Sequence, residues 1–257
     1  MKWVLHWWTG KSEVERVLLA ESWKSHRMSY AVTRSIWKTS MMGNVRTIIF
    51  QDDFDTVCVA TMVADYKCFD RRDVALKRLP ECLVDIKNCN KQIRYLDQLR
   101  IEPFDIHFHG PMLNRVWTGL KGKTVLTDWT EIGFQGNKPE NDFRGMGVLA
   151  LRCLVHMVKT RGRESRDIYH HYPELPFCIT AINVVGFTFQ ALEQRHFDIL
   201  FYTNEDKALE MFAAKFCDFF EKFIFYWTQG SRHIFDFQQM FRDFQKRTIS
   251  TLRKTVY

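Results

Sequence analysis

Trp129 to Leu154 reads W-T-E-I-G-F-Q-G-N-K-P-E-N-D-F-R-G-M-G-V-L-A-L-R-C-L. Its glycines, Gly133, Gly136, Gly145 and Gly147, offer backbone conformations that residues with a side chain resist. Pro139 fixes its own φ and steers Lys138 away from the helical region. From there, apolar residues recur at Met146, Leu149, Ala150, Cys153, Leu154, Met157 and Val158, the spacing of a buried helical face. The stretch therefore predicts a structured loop feeding a core helix. At the end of the loop stands a cation, Arg144, flanked by Asp142 and Gly145.

Downstream, Pro173 and Pro176 lead into F-C-I-T-A-I-N-V-V-G-F-T-F-Q-A-L, Phe177 to Leu192, which is apolar almost all round and predicts a central buried helix. Asn183 within it needs a hydrogen-bond partner, and Gly186 permits close helix contact. Between the two stretches, Lys159 to Arg166 is a basic segment read as a solvated loop or a helix start. Leu209, Phe212, Phe216, Phe219, Phe220, Phe223 and Trp227 predict a long helix over 204–228, capped by Asn204 and broken at Gly230. Ser231 caps the last helix, with Phe237, Met240, Phe241 and Phe244 inside and Arg242, Lys246, Arg247, Arg253 and Lys254 outside.

Upstream the pattern is again helical. Val14, Val17 and Leu18 form an apolar stripe, and Met41 to Asn44 is a break. The β-branched run from Val45 admits a hairpin. Helical spacing over 52–64 is preferred, with Phe54, Val57, Cys58, Thr61 and Met62 on one face. Asp70 is read as the cap of a helix through Leu79, Pro80 as the opening of a second over 80–99, and Pro111 as the opening of another ended by Gly122. Asp128 is suited to cap the turn bearing Trp129. Together these readings predict an all-α fold, one compact multi-helix domain over 50–257 behind a short helical extension over 1–49.

The 257 residues are ample for a core, and 22 phenylalanines predict an aromatic interior. A net charge of +7 favours anionic partners: a membrane surface, nucleic acid or an acidic protein face. No nucleic-acid motif accompanies it, and the basic residues are spread over several segments, so nucleic acid is not expected. Cys58, Cys68, Cys82, Cys89, Cys153, Cys178 and Cys217 show no C-x-x-C spacing, which predicts free thiols in a reducing, cytoplasmic setting. His107-x-His109 and His170-His171 lack a convergent set of further ligands, so no metal and no cofactor is expected. P-loop and G-x-S-x-G patterns are absent, which argues against a stand-alone small-molecule enzyme. Met1 to Trp8, M-K-W-V-L-H-W-W, is too short to span a bilayer; its tryptophans suit a membrane interface or docking on the protein's own surface.

The pattern W-x-x-I-G-F-Q-G-x-x-P-x-x-D-F-R-G-M-G, carried by Trp129, Ile132, Gly133, Phe134, Gln135, Pro139, Asp142, Phe143, Arg144, Gly145 and Gly147, resembles the signature of the ELMO-domain family, in its branch of ELMO-domain-containing proteins. Weaker similarity extends over about residues 50–250, at 177–192 and 227–244 in particular. The resemblance implies an all-helical fold. It also implies a GTPase-activating protein for Arf-like or Arf small GTPases in their GTP form, dependent on the arginine of D-F-R-G, here Arg144. The sister branch, scaffolds for DOCK-type exchange factors, generally lacks that arginine and carries added modules, so a scaffold is the alternative.

An arginine suits phosphoryl transfer because it stays charged and forks onto phosphate oxygens, and such a finger raises rates by roughly 10³–10⁵. Read from the residues alone, the structural role comes first, since most arginines flanked by acids pair with them, here Asp142 or Asp128, and pin the loop; the resemblance reverses this in favour of the functional role. Gln135 positions a water, touches the partner or braces the loop. Trp129, Phe134 and Phe143 are read as core anchors, and Asp142 as the residue that holds Arg144 in place.

Overall fold

A computed structural model describes residues 10–20, 26–39, 42–51, 53–69, 74–122, 125–202, 205–229 and 233–255. Among these the chain is all-α, as the periodicity predicts, and no strand occurs. The α-helices are α1 (Glu13–Leu19), α2 (His26–Lys38), α3 (Gly43–Ile49), α4 (Thr56–Tyr66), α5 (Val74–Ile101) and α6 (Ile106–Lys121), then α7 (Gly147–Thr160), α8 (Gly162–His171), α9 (Phe177–Glu193), α10 (Ala208–Trp227) and α11 (Phe237–Thr255). Short 3₁₀ turns cover Trp129–Ile132 and Pro139–Gly145. The caps proposed at Asp70, Asn204 and Ser231, and the segment Met1 to Trp8, lie outside the described residues.

Packing divides the chain into two units. The first takes in residues 1–94 and 198–206. Helix α1 starts with a reciprocal cap: Ser12 Oγ accepts from the Glu15 N–H at 3.2 Å, and Glu15 Oε2 accepts from the Ser12 N–H at 3.2 Å. The core joins Val14 and Leu18 to Met28, Val32 and Ile36 of α2, Val45 and Ile49 of α3, and Leu79, Leu83 and Ile86 of α5. Helix α2 was not foreseen, although Met28, Val32 and Ile36 recur every fourth residue.

Helix α4 buries Val59, Ala60, Val63 and Ala64, while Val57 and Cys58 face solvent, so the inner face is not the expected one. The run T-V-C-V-A-T-M-V-A is apolar on both sides, and only its neighbours choose between them. Pro80 does not open a helix but sits inside the continuous α5. An internal proline costs about 3 kcal/mol through a lost bond and a ring clash. The burial of Ala75, Leu79, Cys82, Leu83 and Ile86 along the same helix outweighs that.

The second unit holds residues 95–197 and 207–257. Helices α7 and α10 pack on α9, which is buried along most of its length at Phe177, Ala181, Val184, Val185, Phe189 and Leu192. Asn183 Nδ2 donates to the Ile179 carbonyl one turn back at 2.9 Å, and Gly186 faces the Met146 side chain rather than another helix. Phenylalanines fill the interior: Phe177 meets Phe220 edge-to-face at 5.3 Å, Phe223 meets Phe241 and Phe244 edge-to-face at 5.3 Å each, and Phe187 meets Phe219 at a tilt at 5.4 Å. Phe237, Met240, Phe241 and Phe244 are the buried side of α11, as expected. Asp105 starts α6 by accepting from the His107 N–H at 2.7 Å, and Pro111 lies inside that helix on its exposed side. The basic segment after α7 continues as helix α8, and Arg161 at its head reaches Glu221 at 2.7 Å and Asp218 at 3.3 Å on α10. No described helix is long and apolar enough to cross a membrane.

Candidate functional site

The signature loop is built by local chemistry before it is packed. Asp128 has an extended backbone and its Oδ1 accepts from the Thr130 N–H at 2.8 Å, which starts the turn Trp129–Ile132. Gly133 ends that turn in the left-handed region, at φ +86°. A Cβ there would also run into the Pro176–Phe177 peptide, 2.6 Å from the Pro176 carbonyl carbon. The close approach serves a purpose. Helix α9 has no side-chain cap at Pro176, and the Gly133 carbonyl accepts from the Ile179 N–H at 3.1 Å, one of the unpaired donors of its first turn.

Pro139 opens the second turn, Pro139–Gly145, where its missing N–H is no loss. Gly147 then turns into α7 at φ +48°, and a Cβ at this position would strike the carbonyl oxygens of Arg100 and Glu102. Val148 N–H donates to Glu102 at 3.0 Å across the same contact. Gly136 and Gly145 have open space around them and negative φ, so their glycine character is not demanded by the backbone.

A row of rings anchors the loop from beneath. Trp117 meets Trp129 at 5.9 Å, Trp129 meets Phe134 at 6.3 Å, Phe134 meets Phe143 at 5.6 Å, and Phe143 stacks on Phe104 at 4.7 Å. Trp129, Ile132, Phe134, Pro139, Phe143 and Gly147 are all buried. Gln135, Asn141, Arg144 and Gly145 are exposed. The signature thus separates into an inner set that fixes the backbone and an outer set that meets solvent.

Asp142 does not hold Arg144. Its Oδ2 accepts from the Gln135 N–H at 3.0 Å and closes the loop on itself. Partial burial pushes its carboxyl above the usual carboxylate range, against the lowering effect of that hydrogen bond. Arg144 instead donates from Nη2 to Asn141 Oδ1 at 2.6 Å. Asp128 accepts from the Thr130 N–H of its own turn, and among the described residues neither carboxylate considered from the sequence forms an ion pair with Arg144. Asn141 was missed; the signal was its three-residue spacing from Arg144 in a turn opened by proline.

Two exposed apolar residues were missed as well. Ile101 is 64% exposed at the end of α5, between the two carbonyls that receive Gly147, and Phe108 is 80% exposed in the first turn of α6. Phe108 precedes His109, whose ring lies 5.6 Å from the Phe104 ring beneath Phe143. A cleft of about 550 Å³ opens on the Gly133 side, lined in part by Glu131, Phe134, Tyr169, Pro173, Phe177 and Ile234. Arg144 is not among its lining residues, so the exposed cation stands outside the cleft. No group of three or more His, Cys, Asp or Glu side chains suited to a metal occurs among the described residues. His109 Nδ1 accepts from the Asp105 N–H at 3.0 Å, and His170 packs on Tyr169 at 5.0 Å.

No solved structure matches the chain. Among known sequences it is 24% identical to ELMO domain-containing protein B of Dictyostelium discoideum over 96% of this chain and 92% of that one. It is 25% identical to ELMO domain-containing protein 2 of Mus musculus over 95% and 87%. It is 28% identical to ELMO domain-containing protein 1 of Mus musculus over 68% and 63%. The model of the ELMO/CED-12 family matches residues 75–241, which run from the first turn of α5 into α11 and include the whole signature. With that span covering well over half the residues, the chain belongs to the ELMO/CED-12 family.

Proposed function

We propose that the chain stimulates GTP hydrolysis by a small GTPase of the Arf-like or Arf class, engaged in its GTP form, with Arg144 meeting the phosphates. The single observation that carries this reading is the presentation of Arg144. It is exposed, it sits on a backbone fixed by buried rings and close glycine contacts, and its partner is a neutral amide. A cation so placed keeps its charge available for a partner's phosphate oxygens. Ile101 and Phe108 supply apolar surface on the segment that Gly147 and Phe143 pack against, which suits a protein partner better than a small molecule. The choice of GTPase class rests on the D-F-R-G resemblance. On this reading the chain has no catalysis of its own and works in the cytoplasm.

Family membership also accommodates a non-catalytic scaffold for a DOCK-type exchange factor. The exposed arginine within an intact D-F-R-G favours the activator. The test is a single-turnover hydrolysis assay against a panel of Arf-like and Arf GTPases. The wild-type chain should accelerate at least one of them, and Arg144→Ala should lower that rate at least about a hundredfold. Arg144→Lys should be nearly as damaging, because lysine keeps the charge and loses the planar fork. A folded Arg144→Ala protein with near-normal stimulation would remove Arg144 from the mechanism, and a wild-type chain that stimulates no GTPase would leave the scaffold in front.

A further inference from the structure

We infer that Asn141 is a positioning residue for Arg144, which orients the guanidinium through a neutral acceptor and so presents its full charge to an anionic group on the partner. The inference rests on the proposed activator reading and adds to it a residue that the signature leaves open: Asn141 falls on an unspecified position between Pro139 and Asp142.

The geometry follows from the type of turn. Pro139–Gly145 is a 3₁₀ helix, with three residues per turn, so positions i and i+3 lie one above the other. Asn141 and Arg144 are such a pair, and the 2.6 Å bond joins them along the outer edge of the turn. Phe143, between them in sequence, points the other way into the ring row, 1% exposed. The backbone bearing Arg144 is thereby held from below while its side chain is held from the side.

Charge decides why an amide suits the place. A carboxylate would add an opposite charge to the hydrogen bond and would offset the guanidinium's field at the partner. Two carboxylates are close in sequence, Glu140 and Asp142. Asp142 is turned to the Gln135 N–H, and no ion pair between Arg144 and either one occurs among the described residues. The loop restrains the cation without neutralising it, so less side-chain freedom is lost when Arg144 engages the partner.

The experiment uses the full chain and the most responsive GTPase from the panel, with maximal single-turnover rate, half-saturating concentration and melting temperature measured together. Asn141→Ala should lower the maximal rate about ten- to hundredfold and leave half-saturation and melting temperature unchanged. Asn141→Asp is isosteric and keeps the acceptor oxygen. If Asn141 serves only to brace the loop, Asp should behave as wild type; if its neutrality matters, Asp should be at least as impaired as Ala. Arg144→Ala combined with Asn141→Ala should be no slower than Arg144→Ala alone. The inference is overturned by a wild-type rate in either Asn141 variant, or by losses that follow the folded fraction. A wild-type chain that stimulates no GTPase removes the activator reading itself and this inference with it. A wild type that stimulates beside an unaffected Asn141→Ala removes the inference alone.

Discussion

The carbonyl of Gly133 accepts the N–H of Ile179 at 3.1 Å, so the signature loop caps the central helix α9. The contact makes the signature part of the fold's framework as well as a surface for a partner. It also ties the loop's position to the most buried helix of its unit.

The glycines of the signature should therefore divide by stability. Gly133→Ala and Gly147→Ala place a Cβ against backbone atoms at positive φ, and each should destabilise by about 2–5 kcal/mol from overpacking and left-handed strain. Gly136→Ala and Gly145→Ala meet open space and should stay within about 0.5 kcal/mol of wild type. Urea unfolding of the four variants checks this, and an equal loss at all four would contradict it.

Asp142 offers a pH test. Its pKa is raised in the folded state, so the folded protein binds the proton more readily than the unfolded chain. Its contribution to stability is then most favourable below the unfolded value and is lost as pH rises through the folded one. Asp142→Asn keeps an acceptor for the Gln135 N–H without the buried charge. The variant should show a flatter stability profile than wild type across the acidic range just above the ordinary carboxylate pKa. A profile that steepens in the variant would contradict the assignment.

The thiols should separate by burial. Cys58 and Cys68 are exposed, whereas Cys82, Cys89, Cys153, Cys178 and Cys217 are buried. Burial raises the Cys82 thiol to about 11 and Cys217 to about 12. A disulfide-exchange reagent at neutral pH should titrate two thiols in the native protein and all seven in denaturant. Fewer than seven in denaturant would point to a disulfide.

Peripheral membrane contact should run through α11. That helix uses Phe237, Met240, Phe241 and Phe244 in the core and exposes Arg242, Lys246, Arg247 and Arg253, with a single acid, Asp243, in its sequence. Phe235, just before it, is 96% exposed. We expect the chain to sediment with vesicles containing phosphatidylserine and not with neutral ones, with about 1 kcal/mol from each cation near the surface. Lys246→Glu with Arg247→Glu, or Phe235→Ala, should weaken that binding. Indifference to both changes and to salt would exclude this face.

The sequence by itself determined where apolar periodicity and capping chemistry speak without competition. The inner residues of α9 and α11, the Asp128 cap and the stop at Gly122 are all legible because each depends on residues within a turn or two. So is the all-α class, and so are the rings of the signature, whose size and spacing require burial. Tertiary structure alone decided the matters on which local chemistry is evenly balanced. Helix α4 is apolar on two faces, and its neighbours chose Val59 and Val63 over Val57 and Cys58. Pro80 and Pro111 resemble helix openings, yet packing along α5 and the earlier cap at Asp105 carry the helices through them. Arg144 has Glu140 and Asp142 beside it in sequence, yet the folded loop pairs it with Asn141, and Asp142 accepts from the Gln135 N–H. Proximity along the chain limits which groups can meet, and the three-dimensional path of the backbone selects among them.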